Sequence, residues 1–524
     1  MALPQILLPA PDRARRIVAL AAPVIFAMLT QTAVNLVDTA LVGRLLDRDS
    51  LLAAVPGWTA MPLAARGEAV ARLEAAGTPV EALDEVRRHV PAFAAMTPLQ
   101  KAVELTRIEN LSTNGVGALG YSLVLLWFVG GFLSSISVGT QATTARRFGA
   151  GDMAGAGQAL SNSLIVASIS GLAATLVFYP LIPAIFHAVA TPDVAAAGTM
   201  FLQPRFIGVF TMVTTASYKS FFDGIGKTYI HLVAAVVMNV TNIFLAWCLI
   251  WGNLGLPRME LAGAAWAAVL ATYIGLGIMV VFSLRPASVK TFHHYRLRAN
   301  ASLKVMWTIV RLSVPSGVAT LAVMSGFGFF IWTVNRMDLL AGNHPAILSA
   351  ATKIIIDVQS VSFISCIAFG TATATLVGQS LGAGRPEDAE GYGWDSVKLG
   401  MYLFTMVGAT IVVFPAPITR LFTNDPLVVE AARHAMRLTG LMEPMVAAAL
   451  ILSQAHFGAG NSRFVMLVEI TLHFTCMIPL AYLAGVLLDG GLAGVFASPM
   501  LYGFLLAAIL GWKFREGKWK SIRI

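Results

Sequence analysis

Ionisable side chains are scarce in this chain. Asp, Glu, Lys and Arg make up only 12% of its 524 residues, about half the share of a soluble globular domain. With 57% of residues hydrophobic, that scarcity excludes both a soluble fold and a disordered chain. Cysteine is rarer still. Cys248, Cys366 and Cys476 each lie alone inside an apolar run, which excludes a disulfide framework and a cysteine-based metal site. No HExxH, GxSxG or paired-cysteine motif occurs. The glycine-rich GAGD (149–152) and GAGR (382–385) lack the Lys-Ser/Thr of a phosphate-cradling loop and read as tight helix-to-helix turns. Neither an enzyme, nor a cofactor, nor a metal centre is expected.

What is abundant is long apolar stretches, several of about 20 residues, which set the class as an all-α polytopic membrane protein. The first, 17–45 (IVALAAPVIFAMLTQTAVNLVDTALVGRLL), carries Gln31, Asn35 and Asp38 at i, i+4 and i+7, one face of a helix. A carboxylate near the middle of a membrane helix costs about 2.5–3.5 kcal/mol on insertion scales. Two polar neighbours aimed the same way mark that face for an ion or a substrate. The alternative is an Asp38 that snorkels to the membrane edge beside Arg44. Arg13, Arg15 and Arg16 precede a run too long for a signal peptide and without a cleavage pattern, so it reads as a retained first helix.

Residues 46–113 change character, with prolines, 16 charges and no spanning run, and read as a helical excursion into water. Apolar runs resume at about 115–138, 157–184, 198–222, 229–251, 260–284, 305–335, 347–378, 395–416, 430–457, 464–488 and 491–512, giving twelve helices in all. Basic residues in the connections alternate. Twenty fall on the side of both termini, against three (Arg258, Arg336, Arg420) in the short connections of the other side. Both termini are therefore expected in the cytoplasm and 46–113 outside it. The net charge of +9 needs no nucleic acid on this reading.

The halves repeat. GAGD and GAGR are 233 residues apart, GIGKT (224–228) and GAGNS (458–462) 234 apart, and LAAP (20–23) and LSVP (312–315) 292 apart. The first half thus holds about 58 extra residues, where 46–113 lies. Two parallel six-helix lobes are expected, 1–284 and 305–524, joined by a basic cytoplasmic linker, 285–304. Such repeats flank a midplane site and rock against each other.

PVIFAMLTQTAVNLVDTALVGRL (23–45) resembles the opening helix of the multidrug and toxic compound extrusion (MATE) family. GTQATTARRFGAGDMAGAGQAL (139–160), FFDGIGKT (221–228), NVTNIFLAWCLIWGNLGLP (239–257), GTATATLVGQSLGAGRPEDA (370–389) and HFGAGNSR (456–463) fit the same family in order and spacing. The resemblance implies twelve helices in two pseudo-symmetric six-helix lobes around a central cavity. It implies an antiporter in a bacterial inner membrane, exporting amphipathic, often cationic, compounds for protons or sodium. It maps the protonation site onto Asp38 and a fifth-helix asparagine onto Asn242. The chain departs from the pattern at Ala246, Ala268 and Val323, where members place an aspartate, a threonine and a glutamate. The lost oxygen donors favour protons. The expected partners are a small-molecule substrate and the bilayer, with the chain acting as a monomer.

Asn239 shares the face of Asn242 and joins the set, although an inter-helix hydrogen bond explains it equally well. Glu443, beside the helix-kinking Pro444, could face a substrate cation. Glu469 and His473, at i and i+4, could pair or relay a proton. Asp357 is expected to pair with Lys353. A lipid or oligosaccharide flippase of the same superfamily is the nearest rival. It needs cavity arginines, and only Arg205, Arg311, Arg433 and Arg437 are candidates. A membrane sensor using 46–113 is a rival of another class.

Overall fold

The computed structural model describes residues 8–43, 48–90, 92–189, 192–340, 347–423 and 425–524, without the side chains at 35–36, 38–40, 42–43, 48–49, 85, 89, 111–121, 123, 189 and 193. Among the described residues there are helices and turns but no strand. Helix α1 (Pro11–Gly43) is the first span. Three short helices follow, α2 (Arg48–Ala54), α3 (Leu63–Ala75) and α4 (Glu81–His89). The second span is α5 (Pro98–Leu126), a π-helical turn at Trp127–Gly131, and α6 (Ile136–Gly149). Then come α7 (Met153–Val189), α8 (Pro192–Ile207), α9 (Val209–Gly224), α10 (Tyr229–Trp251) and α11 (Glu260–Ser283). A linker helix, α12 (Pro286–Phe292), leads to α13 (Leu303–Leu340), α14 (Ile347–Gly382) and α15 (Pro386–Val413). The last are α16 (Pro426–Gly458), α17 (Ser462–Leu472), which continues through π-helical turns to Leu487, and α18 (Gly491–Glu516).

Eleven of the described helices are long and apolar enough to cross a membrane. The twelfth span is the pair α8 and α9, which the sequence predicts as one run. Pro204 has no N–H to donate, and the Gly208 N–H turns back to the Arg205 carbonyl at 2.9 Å, so the helix steps there. Several spans are over-long. The 38 residues of α13 rise about 57 Å, against a hydrocarbon core of about 30 Å.

Both termini lie at one end of the bundle. Arg13 on α1 reaches Asp388 and Asp395 on α15, each at 3.4 Å. Arg146, closing α6, donates to the carbonyls of Ile522 at 2.8 Å and Ala459 at 3.1 Å. The two glycine-rich turns meet here and do so reciprocally. A Cβ on Gly149 would overlap the Gln379 carbonyl, and one on Gly382 would overlap the Arg146 carbonyl. Both pairs are related by the 233-residue repeat, as an internal two-fold axis requires. Gly151 and Gly384 close the turns at φ of +78° and +69°, backbone that favours glycine.

Two apolar cores draw on both lobes, and both include residues of this termini end. One joins Ile17 and Ala21 to Phe369, Ala372 and Leu376; another joins Ile136 and Ala167 to Val305 and Ile309. Two further cores toward the opposite end are each private to one lobe. Phe330, Val334, Ile354, Ile355 and Phe496 form that of the second lobe. The lobes therefore join at the termini end and part toward the other.

At that other end, α2–α4 and the start of α5 enclose Leu51, Trp58, Val70, Leu83, Phe93 and Leu105. The same core includes Phe201 of α8, Leu249 and Trp251 of α10, and Leu261 and Ala264 of α11. Arg107 clamps the junction, 2.6 Å from Glu260 and 2.8 Å from Glu104, and the two carboxylates push its pKa up. The Trp58 indole donates to Glu109 at 2.9 Å. The segment is thus a small helical cap, continuous through α5 with the first lobe.

The linker is strapped to α7. Asn162 donates to the Asn300 carbonyl at 2.9 Å and accepts from the Ser302 N–H at 2.8 Å. Asn300 donates to Ser161 at 2.9 Å. His294 is fully buried between Phe221 and Tyr295, and that burial pushes its pKa down to about 4.

Two outcomes are expected. Gly139→Leu, whose side chain would run into the Ile309 carbonyl of α13, should cost about 1–3 kcal/mol of stability. Gly277→Ala, with no atom within 4 Å of its Cβ, should cost nothing. Thermal unfolding in detergent separates them, and equal shifts would show that the interlobe contact carries no weight. For His294 the native pKa lies below the unfolded one, so its stabilising effect is whole above about pH 6.5 and drains as pH falls toward 4. Hydrogen-exchange protection factors across 286–303, corrected for the intrinsic rate at each pH, should fall between pH 7 and 5 in the wild type and much less in His294→Phe.

Candidate functional site

Helices α1 and α10 run side by side from the termini end. A polar contact between them is made by Asn239, whose side-chain amide donates to the Thr30 hydroxyl at 2.8 Å, while that hydroxyl donates to the Ala27 carbonyl at 2.7 Å. Asn239 and Asn242 are both 4% exposed and share the buried face of α10. Gln31 is half-buried. The side chains of Asn35 and Asp38, and all of Arg44, lie outside the described residues, although α1 stays helical through both positions. At about 1.5 Å per residue, the Asp38 backbone stands about 12 Å beyond Thr30 along α1. That is level with the turn of α10 holding Ala246. Ala246 is fully buried in the apolar core shared with the cap. A methyl group thus occupies the level where the resemblance leads one to expect a second carboxylate.

The second lobe holds a separate cluster. Glu443 on α16 is 1% exposed and faces Ser362 and Cys366 of α14. Helices α15 and α16 touch closely here, since a Cβ on Gly440 would come 2.6 Å from the Gly408 carbonyl. Pro444 also leaves the Gly440 carbonyl without its helical donor. Glu469 accepts a hydrogen bond from Ser453 at 3.2 Å. The His473 Nδ1 bonds the backbone carbonyl of Glu469 at 2.9 Å, not its carboxylate. Its ring stands edge-on to Tyr502 at 4.5 Å, in space left by Gly326 of α13. Glu469 and His473 therefore share a face and point to different partners. The π-helical turn at His473–Met477 follows from Pro479, whose missing N–H leaves the Thr475 carbonyl unmatched. Asp357 pairs with Lys353 at 2.5 Å. Among the described residues no hydrogen bond joins this cluster to that on α1 and α10.

A third set escaped the sequence reading. At the interlobe seam, Gln141 donates to the Thr371 carbonyl and to the Thr375 hydroxyl, both at 2.9 Å. Thr375 in turn donates to the Asp223 carbonyl at 3.0 Å, and Gln379 to the Gly224 carbonyl at 2.7 Å. The Asp223 side chain is fully buried against Lys219, 2.9 Å away. One signal was available: the second half has Phe457 where the first has Asp223.

Two of the arginines that a flippase would need are engaged elsewhere. Arg433 pairs with Glu430 on an exposed face, and Arg205 stacks over Phe201 at 5.2 Å. Among the described residues no cluster of His, Cys, Asp or Glu could hold a metal ion.

A family model described as MatE matches residues 105–248 and 315–483, one segment in each lobe. A protein named probable multidrug resistance protein NorM, from Thermotoga maritima, is 24% identical over 84% of this chain and 95% of its own length. Multidrug resistance protein PmpM of Pseudomonas aeruginosa is 22% identical over 70% of this chain and 76% of its own. Among solved structures, an outward-facing conformation of a multidrug resistance MATE family transporter superposes with a TM-score of 0.74 at 19% identity. It covers 98% of this chain and 97% of that one.

If the Asn239–Thr30 bond holds α1 against α10, Asn239→Ala should cost under about 2 kcal/mol, the ceiling for hydrogen bonds between membrane helices. A double-mutant cycle with Thr30→Val, read by thermal unfolding in detergent, should return a positive coupling. Additive losses would mean that the contact is incidental.

Proposed function

The chain belongs to the MatE family, and from that premise we propose a secondary antiporter that exports amphipathic, cationic small molecules in exchange for protons. The membrane would be a bacterial inner membrane with both termini in the cytoplasm. The basic residues gathered at the termini end support that orientation. The cap then lies outside, and the lobes part toward the outside.

In this reading Asp38 is the coupling carboxylate, with Gln31, Asn35, Asn239 and Asn242 as its polar surround. The observation that carries it is the Asn239–Thr30 bond, which turns the polar face of α10 toward the helix that bears Asp38. A proton arriving from outside neutralises Asp38. Neutralising a carboxylate in a low-dielectric site removes the cost of holding its charge there, which favours one packing of the first lobe and releases the substrate outward. The return to the inward form discharges the proton. Glu443, Glu469 and His473 offer charge and hydrogen-bonding capacity to the substrate's cationic group from the second lobe. Two features support protons over sodium: Ala246 and Ala268 are buried apolar residues, and a sodium ion needs several oxygen ligands. The relatives named as multidrug resistance proteins support the substrate class.

The test is ethidium transport in proteoliposomes under an imposed pH gradient or an imposed sodium gradient. The wild type should respond to the pH gradient, and Asp38→Asn should lose that response. Undiminished pH dependence in Asp38→Asn would overturn the role of Asp38. Sodium-driven transport surviving in the mutant would move coupling to Glu443, Glu469 and His473.

A further inference from the structure

Several cations at the termini end are matched by carboxylates. Arg13 and Lys398 meet Asp395, Arg385 meets Asp388, Lys219 meets Asp223, and Lys520 meets Glu387 and Glu390. The linker offers no such match within itself. Residues 285–304 hold Arg285, Lys290, Arg296, Arg298 and Lys304 and no Asp or Glu. Among the described residues none of these five forms an ion pair.

Two of them, Lys290 and Arg296, line one pocket of about 240 Å³ together with Val289, His293 and Tyr295. Hydrogen bonds hold two of the residues that line it. The Tyr295 hydroxyl is bonded to Ser283 and Tyr218, which fixes one wall. His293 ends α12 at a φ of +50°, left-handed backbone that a non-glycine residue adopts only when its surroundings hold it there. Its carbonyl accepts from Asn300 at 2.9 Å, which ties the turn to the strap on α7. The volume is below the roughly 300–1,000 Å³ of sites for drug-sized ligands. Two cations over so small a space suit a phosphate group. Leu284, Leu297, Leu303 and Trp307 around the linker are all exposed, Leu303 at 84% and Trp307 at 66%. Exposed leucines and a tryptophan beside unpaired cations at the end of a membrane bundle fit the boundary between acyl chains and headgroups.

We propose that this pocket binds the phosphate of an anionic phospholipid headgroup in the leaflet at the termini end. The site needs only that this end of the bundle meets a bilayer surface, so it stands apart from the antiport reading. Lipid bound there braces the segment that joins the two lobes.

The test titrates phosphatidylglycerol, phosphatidylcholine or inorganic phosphate into the detergent-solubilised full chain and counts bound molecules by native mass spectrometry. Lys290→Gln/Arg296→Gln is compared with Arg298→Gln/Lys304→Gln, which removes the same charge from the same linker without lining the pocket. Melting temperature in phosphatidylcholine alone checks that each variant is folded. Phosphatidylglycerol should bind the wild type in preference to phosphatidylcholine. The pocket variant should bind it at least about tenfold more weakly, because each cation removed takes a charge-assisted hydrogen bond to the phosphate with it. The control should lose a few-fold at most. Equal losses in both variants would reduce the effect to general surface charge and overturn the proposal. So would binding without preference for phosphatidylglycerol, or full displacement of the lipid by inorganic phosphate, which would make a soluble phosphate the ligand.

Discussion

The close approach of backbone to backbone at the interlobe seam is the contact on which the rest of this structure depends. Lipid tails are as apolar as leucine, so burying hydrophobic area does not by itself hold two membrane lobes together. Small residues do, because they let helices approach until carbonyls meet glycine. Gly149 against Gln379 and Gly382 against Arg146 are such contacts, and the repeat makes them mirror each other. Around them, side chains reach across to backbone carbonyls: Gln141 to Thr371, Gln379 to Gly224, Arg146 to Ala459. A seam made of short contacts at one end of long helices leaves the other end free to part.

The same scarcity of charge that marks the chain as a membrane protein gives each buried charge a position that needs explaining. Asp223 is met by Lys219, and Asp395 by Arg13 and Lys398. Glu469 has a hydroxyl donor from Ser453, and Glu443 faces only the small side chains of Ser362 and Cys366 among those noted above. The cap follows different rules. It has a compact core of its own, ion pairs such as Lys101 with Glu74 at 2.8 Å, and a bidentate clamp onto Glu260, as a small soluble domain would. Its core extends into α8, α10 and α11, so it packs onto that end of the first lobe.

Much of this was legible from residue order. Runs of about 20 apolar residues mark spans because a bilayer leaves an unpaired backbone no partner but its own helix. The offsets of GAGD to GAGR and of GIGKT to GAGNS mark a duplicated lobe, and the compositional break at 46–113 marks the segment that interrupts it. The i, i+4, i+7 spacing of Gln31, Asn35 and Asp38 marks a polar helix face. Less visible was the step at Gly208, where one apolar run becomes two helices. Hydropathy averages over the proline and glycine that cause it.

By itself, then, the sequence determined the class, the number of spans, the two-lobe repeat and the polar faces, because each of these follows from run length, motif order or periodicity along the chain. Only the tertiary structure decided which faces meet. It chose Thr30 as the partner of Asn239, turned the His473 ring to a backbone carbonyl and Tyr502, and sank Ala246 into the core of the cap. It also set Lys290 and Arg296 around one pocket. These are contacts between segments distant in the chain, or side-chain choices among several partners within reach. Helical periodicity tells which way a residue faces along its own axis, and nothing about what the neighbouring helix presents at the same depth.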